Sequence, residues 1–207
     1  MTVKVLILEG NPVARGFLGR VVRESFSDAI SITEAGDTQG ARRQIAQAGP
    51  DPFRLVLIDL ELPDGQALEL LAELAGQPAL CLVTTLYADD EHLFPALQRG
   101  ADGYLFKEDR FELLVEALQR TVRGQPPLSP AIARRLLSHF RAGAFAAGPS
   151  RPPAWPNEPP QLTPRENEVL TFLSKGFTIK EIAGLLRLDW SSVNDQILAI
   201  YRKLKPG

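Results

Sequence analysis

The chain has 207 residues, with 23 Lys and Arg against 25 Asp and Glu and a net charge of −2. That is long for one domain and comfortable for two unequal ones. No apolar run approaches the ~20 residues that span a bilayer, the start MTVKVLILEG turns polar too soon for a signal peptide, and Cys81 alone excludes a disulfide framework or cysteine-rich metal site, so the expected compartment is the cytoplasm.

Charge is unevenly divided. Residues 1–124 carry 12 Lys/Arg and 19 Asp/Glu (−7), residues 125–160 carry 4 and 1 (+3), and residues 161–207 carry 7 and 5 (+2). An acidic head and a mildly basic tail suit a signalling end and a nucleic-acid end. In chain order, apolar runs at Val3–Leu8, Ile30–Glu34, Leu55–Ile58, Leu80–Thr84 and Gly103–Phe106 predict strands. Pro12–Phe26, Thr38–Ala48, Gln66–Leu74, Asp89–Gln98 and Arg110–Val122 predict helices between and after them. Five such units predict an α/β domain over residues 1–124, a doubly wound five-stranded parallel sheet with helices on both faces. The strands are apolar almost throughout, as a sheet covered on both sides requires.

In the flavodoxin-like strand order, strands one and three are neighbours, and sites form at the carboxyl ends of strands. Glu9 and Asp59 then lie side by side, with Thr84–Thr85 and Lys107 on the same rim. A carboxylate, a hydroxyl and an ammonium around one crevice can hold a phosphoryl group. His92 and His139 have no Cys or second His at metal-ligand spacing.

Residues 125–160 read as a connection. Ser129–Arg141 predicts a helix with Ser129 as N-cap, Pro130 in its first turn and Ile132, Leu136 and Phe140 as an apolar line. It packs on the first domain or acts as a lever between domains. In Ala142–Pro160 the prolines 149, 152, 153, 156, 159 and 160 predict an extended, semi-rigid spacer, a hinge between domains.

Residues 161–207 predict a small all-α domain. Thr163, Pro164 and Glu166 form a helix start with a capping box, Val169, Leu170 and Leu173 its buried face, and Gly176 its end. Phe177 or Thr178 opens a second helix, with Ile179, Ile182, Ala183 and Leu186 at helical spacing. Asp189 caps a third, whose apolar line is Val193, Ile197, Ile200 and Leu204. Ser192, Asn194, Asp195, Leu198 and Arg202 are expected on its opposite face.

Two sets of motifs carry a resemblance. LVLIDLELPDG, Thr85 and RGADGYLFK resemble a response-regulator receiver domain. LTPRENEVL, the Gly before the second helix, KEIA and the pattern through IYRKL resemble the helix-turn-helix of LuxR-type regulators. Together the chain is similar to the NarL/FixJ class: a DNA-binding transcriptional regulator of a two-component phosphorelay system, not an enzyme. The resemblance implies that Asp59 is the phospho-acceptor, that Thr85 and Lys107 bind the phosphoryl oxygens, and that Tyr104 is the aromatic switch. It implies Trp190–Lys203 as recognition helix. Asn194, Asp195 and Leu198 would face bases, Ser192 would belong to the same DNA-binding face, and Thr178, Lys180, Arg202 and Lys203 would contact phosphates. Double-stranded DNA, a sensor histidine kinase and a second copy of the chain are the implied partners.

The sequence departs from the pattern. The family has two adjacent acids after strand one; here the pair is Glu9–Gly10. A magnesium ion at Glu9, Asp59 and Glu61 is therefore in question, since Gly10 offers no ligand. Leu86 replaces a very small residue after Thr85, and could cover Asp59. A degenerate, phosphorylation-independent receiver is the alternative. A protein-binding adaptor and an Asp59 phosphatase are the readings from other classes. The family's fourth helix after KLG has no counterpart in this sequence, so dimer contacts are expected from the receiver, the linker helix or DNA.

Overall fold

The computed structural model describes residues 2–27, 29–49, 51–86, 89–125, 128–146 and 161–204. The prolines of the expected spacer, and so the hinge reading, lie outside these residues. The chain divides into two compact units, Met1–Pro127 and Leu128–Gly207.

The first unit alternates strand and helix: β1 (Val3–Leu8), α1 (Pro12–Ser25), β2 (Ile30–Ala35), α2 (Thr38–Ala48), β3 (Leu55–Asp59), α3 (Ala67–Leu74), β4 (Leu80–Thr85), α4 (Asp90–Gln98), β5 (Gly103–Phe106) and α5 (Phe111–Val122). All neighbouring strands are parallel, in the order β2-β1-β3-β4-β5. Side chains alternate across a strand. Val5 and Ile7, Leu55 and Leu57, and Leu82 therefore join Leu18, Val22, Leu114 and Leu118 of α1 and α5 in one core. Leu6, Leu8, Val56 and Ile58 are fully buried on the opposite face. Each such side chain contributes about 1.5–3 kcal/mol of transfer free energy, which fixes the register of the central strands. β3 and β4 run one residue further than expected, so Asp59 and Thr85 are strand residues rather than loop residues.

The helices start where side chains satisfy their first N–H groups. Asn11 accepts from Val13 and Ala14 at α1, and Asp37 accepts from Gly40 at α2. Asp64 holds Thr38 through its N–H at 2.8 Å and its hydroxyl at 2.6 Å.

The second unit contains α6 (Pro130–Ala146), α7 (Pro164–Ser174), α8 (Ile179–Leu186) and α9 (Trp190–Leu204). The boundary between units falls ahead of α6, so this helix belongs with the C-terminal helices. Within the second unit α6 packs on α7. It also continues five residues past Arg141, because AGAFA contains no proline. Its buried stripe is Ile132, Ala133, Leu136 and Leu137; α7 buries Val169, Leu170 and Leu173. Phe140 is only half-buried.

Capping boxes open both α7, from Thr163 and Glu166, and α8, from Thr178 and Glu181. Thr178, not Phe177, is thus the cap. Gly176 ends α7 at φ +91°, where a residue without Cβ is preferred. The turn from α8 to α9 places Arg187 at φ 52°. Arg165 donates to the carbonyl of Leu186 at 2.8 Å, closing the same turn from α7.

Candidate functional site

The parallel sheet brings three charged side chains to the carboxyl ends of its strands. Glu9 follows β1, Asp59 ends β3 and Lys107 follows β5. Glu9 and Asp59 are 1% and 3% exposed. The Lys107 ammonium lies 2.9 Å from Asp59 Oδ2 and also contacts Glu9 Oε2. The other carboxylate oxygens are held by backbone: the Asn11 N–H donates to Glu9 Oε1 at 2.9 Å, and the Glu61 N–H to Asp59 Oδ1 at 3.2 Å. Arg15 clamps the Glu9 carbonyl at 2.6 Å. The Lys107 N–H donates to the Thr85 carbonyl at 2.8 Å, extending the β4–β5 pairing to the crevice.

Thr85 is fully buried, as is Thr84, which pairs in register with Asp59 and whose hydroxyl has no hydrogen-bond partner among the described residues. Tyr104 is 3% exposed with its ring 5.6 Å from that of Phe106. Glu61 is exposed and enters the site through its backbone, not its carboxylate. Leu86 is 49% exposed. It lines an open cavity of about 680 Å³ beside the acids, together with Val13, Phe17, Leu62 and Pro63.

The donor set does not fit a magnesium cage. The described residues hold no group of three acids or histidines suited to a metal. Both buried carboxylates already share one ammonium. A Cβ at Gly10 would meet the Pro63 ring at 3.0 and 3.3 Å, so a second acid there would require the proline to shift. His92 sits with Nδ1 2.6 Å from its helix cap Asp89, away from any such cluster.

The expected DNA-facing residues separate into two groups. Asp195 and Arg202 on α9 are exposed, and Leu198 is half-buried. With exposed Ser191 they form an i, i+4, i+7, i+11 line along one side of the helix. Thr178 and Lys180 at the start of α8 are exposed as well.

Three assignments change. Asn194 is 4% exposed, next to Val193 on the buried side of the helix rather than on its outward face. Ser192 is half-buried, and its N–H and hydroxyl both bond Asp189, at 2.7 and 3.1 Å. Lys203 turns inward, donating to Glu166 at 2.6 Å and to the Gln161 carbonyl at 2.8 Å. Burial raises the Glu166 carboxyl, but the bonds from Lys203 and Thr163 outweigh it and hold the group below its ordinary range. Bonds from Ser191 and Ser192 lower Asp189 to about 2. Ser191, not among the expected residues, is exposed on the same line, and its hydroxyl donates to Asp189.

Residues 5–119 match the model of the response regulator receiver domain, and residues 160–206 that of bacterial regulatory proteins of the luxR family. The chain is a two-component response regulator with a LuxR-type DNA-binding domain. The regulator is 29% identical to the nitrate/nitrite response regulator NarL of Escherichia coli, over 97% of its own length and 88% of NarL. It is 31% identical to the transcriptional regulatory protein YhcZ of Bacillus subtilis, over 98% of its length and 89% of that protein. The RcsB response regulator of Salmonella typhimurium shares its fold, with a TM-score of 0.56, 19% identity and coverage of 100% and 94%. These relatives are regulators rather than enzymes. No helix among the regulator's described residues is long and apolar enough to cross a membrane.

Proposed function

We propose that this regulator binds duplex DNA as a homodimer through the outward side of α9, and that its receiver is set by the Glu9–Asp59–Lys107 cluster without magnesium-assisted phosphorylation. The observation that carries the second part is the engagement of both Asp59 oxygens, one by Lys107 at 2.9 Å and one by the Glu61 N–H at 3.2 Å. To form an acyl phosphate, one of those oxygens must attack phosphorus while the charge on the transferring group is neutralised. Here the acid is buried, its cation is already shared with Glu9, and Pro63 stands against Gly10. Control then passes through dimer contacts or a ligand that binds one arrangement of the cluster better than the other.

On the DNA side, Asp195 accepts from cytosine N4 and Leu198 contacts a thymine methyl, while Thr178, Lys180 and Arg202 hold phosphates. This reading is supported by their exposure. Lys180→Ala and Arg202→Ala should weaken mobility shifts of promoter fragments across sequences; unaltered shifts would sink the groove assignment.

The second reading has a histidine kinase phosphorylate Asp59, with Thr85 and Lys107 on the phosphoryl oxygens and Tyr104 moving in response. It is favoured by the shared rim of β3, β4 and β5. Incubation with magnesium and acetyl phosphate or beryllofluoride separates the two. Intact mass and tryptophan fluorescence should not change. A phosphoryl mass increment in the wild type, absent from Asp59→Asn, overturns the proposal in favour of this reading.

A further inference from the structure

We infer that α6 is part of the DNA-contacting surface, and that Arg134 and Arg141 on its outer stripe bind backbone phosphates of the duplex. The inference rests on the DNA-binding reading of α8 and α9 and adds an element that lies outside the matched LuxR-type segment, residues 160–206.

The need is electrostatic. Residues 161–207 carry 7 basic and 5 acidic side chains. Of these, Lys203 is drawn inward to Glu166, and the outward line of α9 offers Arg202 against Asp195. Phosphate neutralisation supplies essentially all of the sequence-independent part of duplex affinity. The helix-turn-helix by itself brings little of it.

α6 supplies the missing charge and is fixed where it can act. Its 17 residues hold three arginines and no acid. Ile132, Ala133, Leu136 and Leu137 bury its inner side within the C-terminal unit, where it packs on α7. Arg134, Ser138 and Arg141 are all exposed, at i, i+4 and i+7, and so line its outer side.

One bond ties this stripe to the end of α7. Arg134 Nη1 donates to the Ser174 carbonyl at 2.9 Å, at the last residue of α7. The next residue, Lys175, is exposed, and so are Thr178 and Lys180 at the start of α8. Arg134 is therefore continuous with the edge assigned to the phosphates, and one carbonyl uses only part of its fork of donors. A duplex phosphate is the occupant that matches this row of cations, because the row extends an edge already turned toward DNA.

The test uses the full chain and a fluorescent duplex of arbitrary sequence, with affinity measured by anisotropy over a range of salt concentrations. Arg134→Gln should lower the slope of log K against log salt by about 1, and the Arg134→Gln, Arg141→Gln double variant by about 2. Arg134→Lys, which keeps the charge and loses the fork, should retain the slope. Lys180→Ala is the reference for the helix-turn-helix and should lower the slope by itself. If Lys180→Ala acts and Arg134→Gln leaves the slope intact, the α6 inference fails and the groove assignment stands. A weaker affinity with an unchanged slope also overturns it, since that marks lost support of α7 rather than a lost phosphate contact. No response to any of these variants removes both assignments.

Discussion

Each unit buries an acid against a lysine, and the two do it differently. In the C-terminal unit Glu166 meets Lys203 at 2.6 Å and accepts the Thr163 N–H at 2.6 Å, and Lys203 gives a further bond to the Gln161 carbonyl. One negative charge faces one positive charge, with hydrogen bonds on both. In the receiver crevice two buried carboxylates, Glu9 and Asp59, share the single ammonium of Lys107. The first arrangement ties the end of α9 to the start of α7. The second sets two carboxylates against one ammonium, an imbalance that burial makes costly. The matched pair is buried at less cost than the unmatched set.

The comparison breaks most readily at Lys107. Lys107→Met leaves both carboxylates without a cation, and removing one partner of a buried ionic group costs about 3–5 kcal/mol. Urea unfolding of the full chain should show that loss in the transition of the receiver unit. Asp59→Asn, by contrast, removes the excess charge and should be neutral or mildly stabilising, and it should recover part of the loss in the double variant. If Lys107→Met costs as little as an exposed ion pair, the cluster does not share one cation and the distinction between the two units disappears.

The matched pair should respond less. Lys203→Met takes one bond from Glu166 but leaves the Thr163 N–H, and the Lys203 side chain is 24% exposed, so water replaces part of what is lost. A cost of about 2 kcal/mol follows for a hydrogen bond to a charged group. The pH dependence has a definite sign. Glu166 is held below its ordinary value of 4.5 in the folded unit. A depressed carboxyl contributes its stability above the unfolded value and loses it as pH falls through the folded one. The thermal-midpoint advantage of the wild type over Glu166→Gln should be constant above about pH 5.5 and shrink below about 4.5. An advantage that persists undiminished at pH 3 would show that the carboxylate charge is not what holds the clamp.

The crevice was legible in the sequence because the geometry of a parallel sheet is nearly determined by strand order. Once Leu55–Asp59 and Leu80–Thr85 are strands, their ends share a rim, and Asp59, Thr85 and Lys107 meet there whatever else varies. The sharing of Lys107 with Glu9 was not legible, since strand order says nothing about how one long side chain divides its bonds. The crowding at Gly10 comes from Pro63, 53 positions away in sequence. On α9 the apolar line fixed Val193, Ile197, Ile200 and Leu204 as core, and all four are buried. What period alone cannot give is the width of the buried side, and Asn194 falls within it. Lys203 sits half-buried beside core Leu204, close enough for a flexible stem to bend inward to Glu166. The membership of α6 in the C-terminal unit was hidden for a simpler reason. The prolines that follow it suggest separation, yet they govern only their own backbone and do not prevent the helix before them from docking on α7.

Asn194 is the exception within the well-matched unit and the source of the smallest predicted effect. The residue is 4% exposed, and Oδ1 has no hydrogen-bond partner among the described residues. A buried acceptor left unmade costs about 1–3 kcal/mol, whereas an apolar side chain of the same shape avoids that cost. Asn194→Leu should therefore raise the stability of the unit by about 1 kcal/mol, read from the shift of its urea midpoint, with duplex affinity unchanged. The opposite pair of results is equally informative. Lost stability together with lost duplex binding would mean that the amide turns outward to a base when DNA is present, and that its buried position belongs to the unbound chain. The unpaired Oδ1 would then be the cost at rest of a group that finds its partner on DNA.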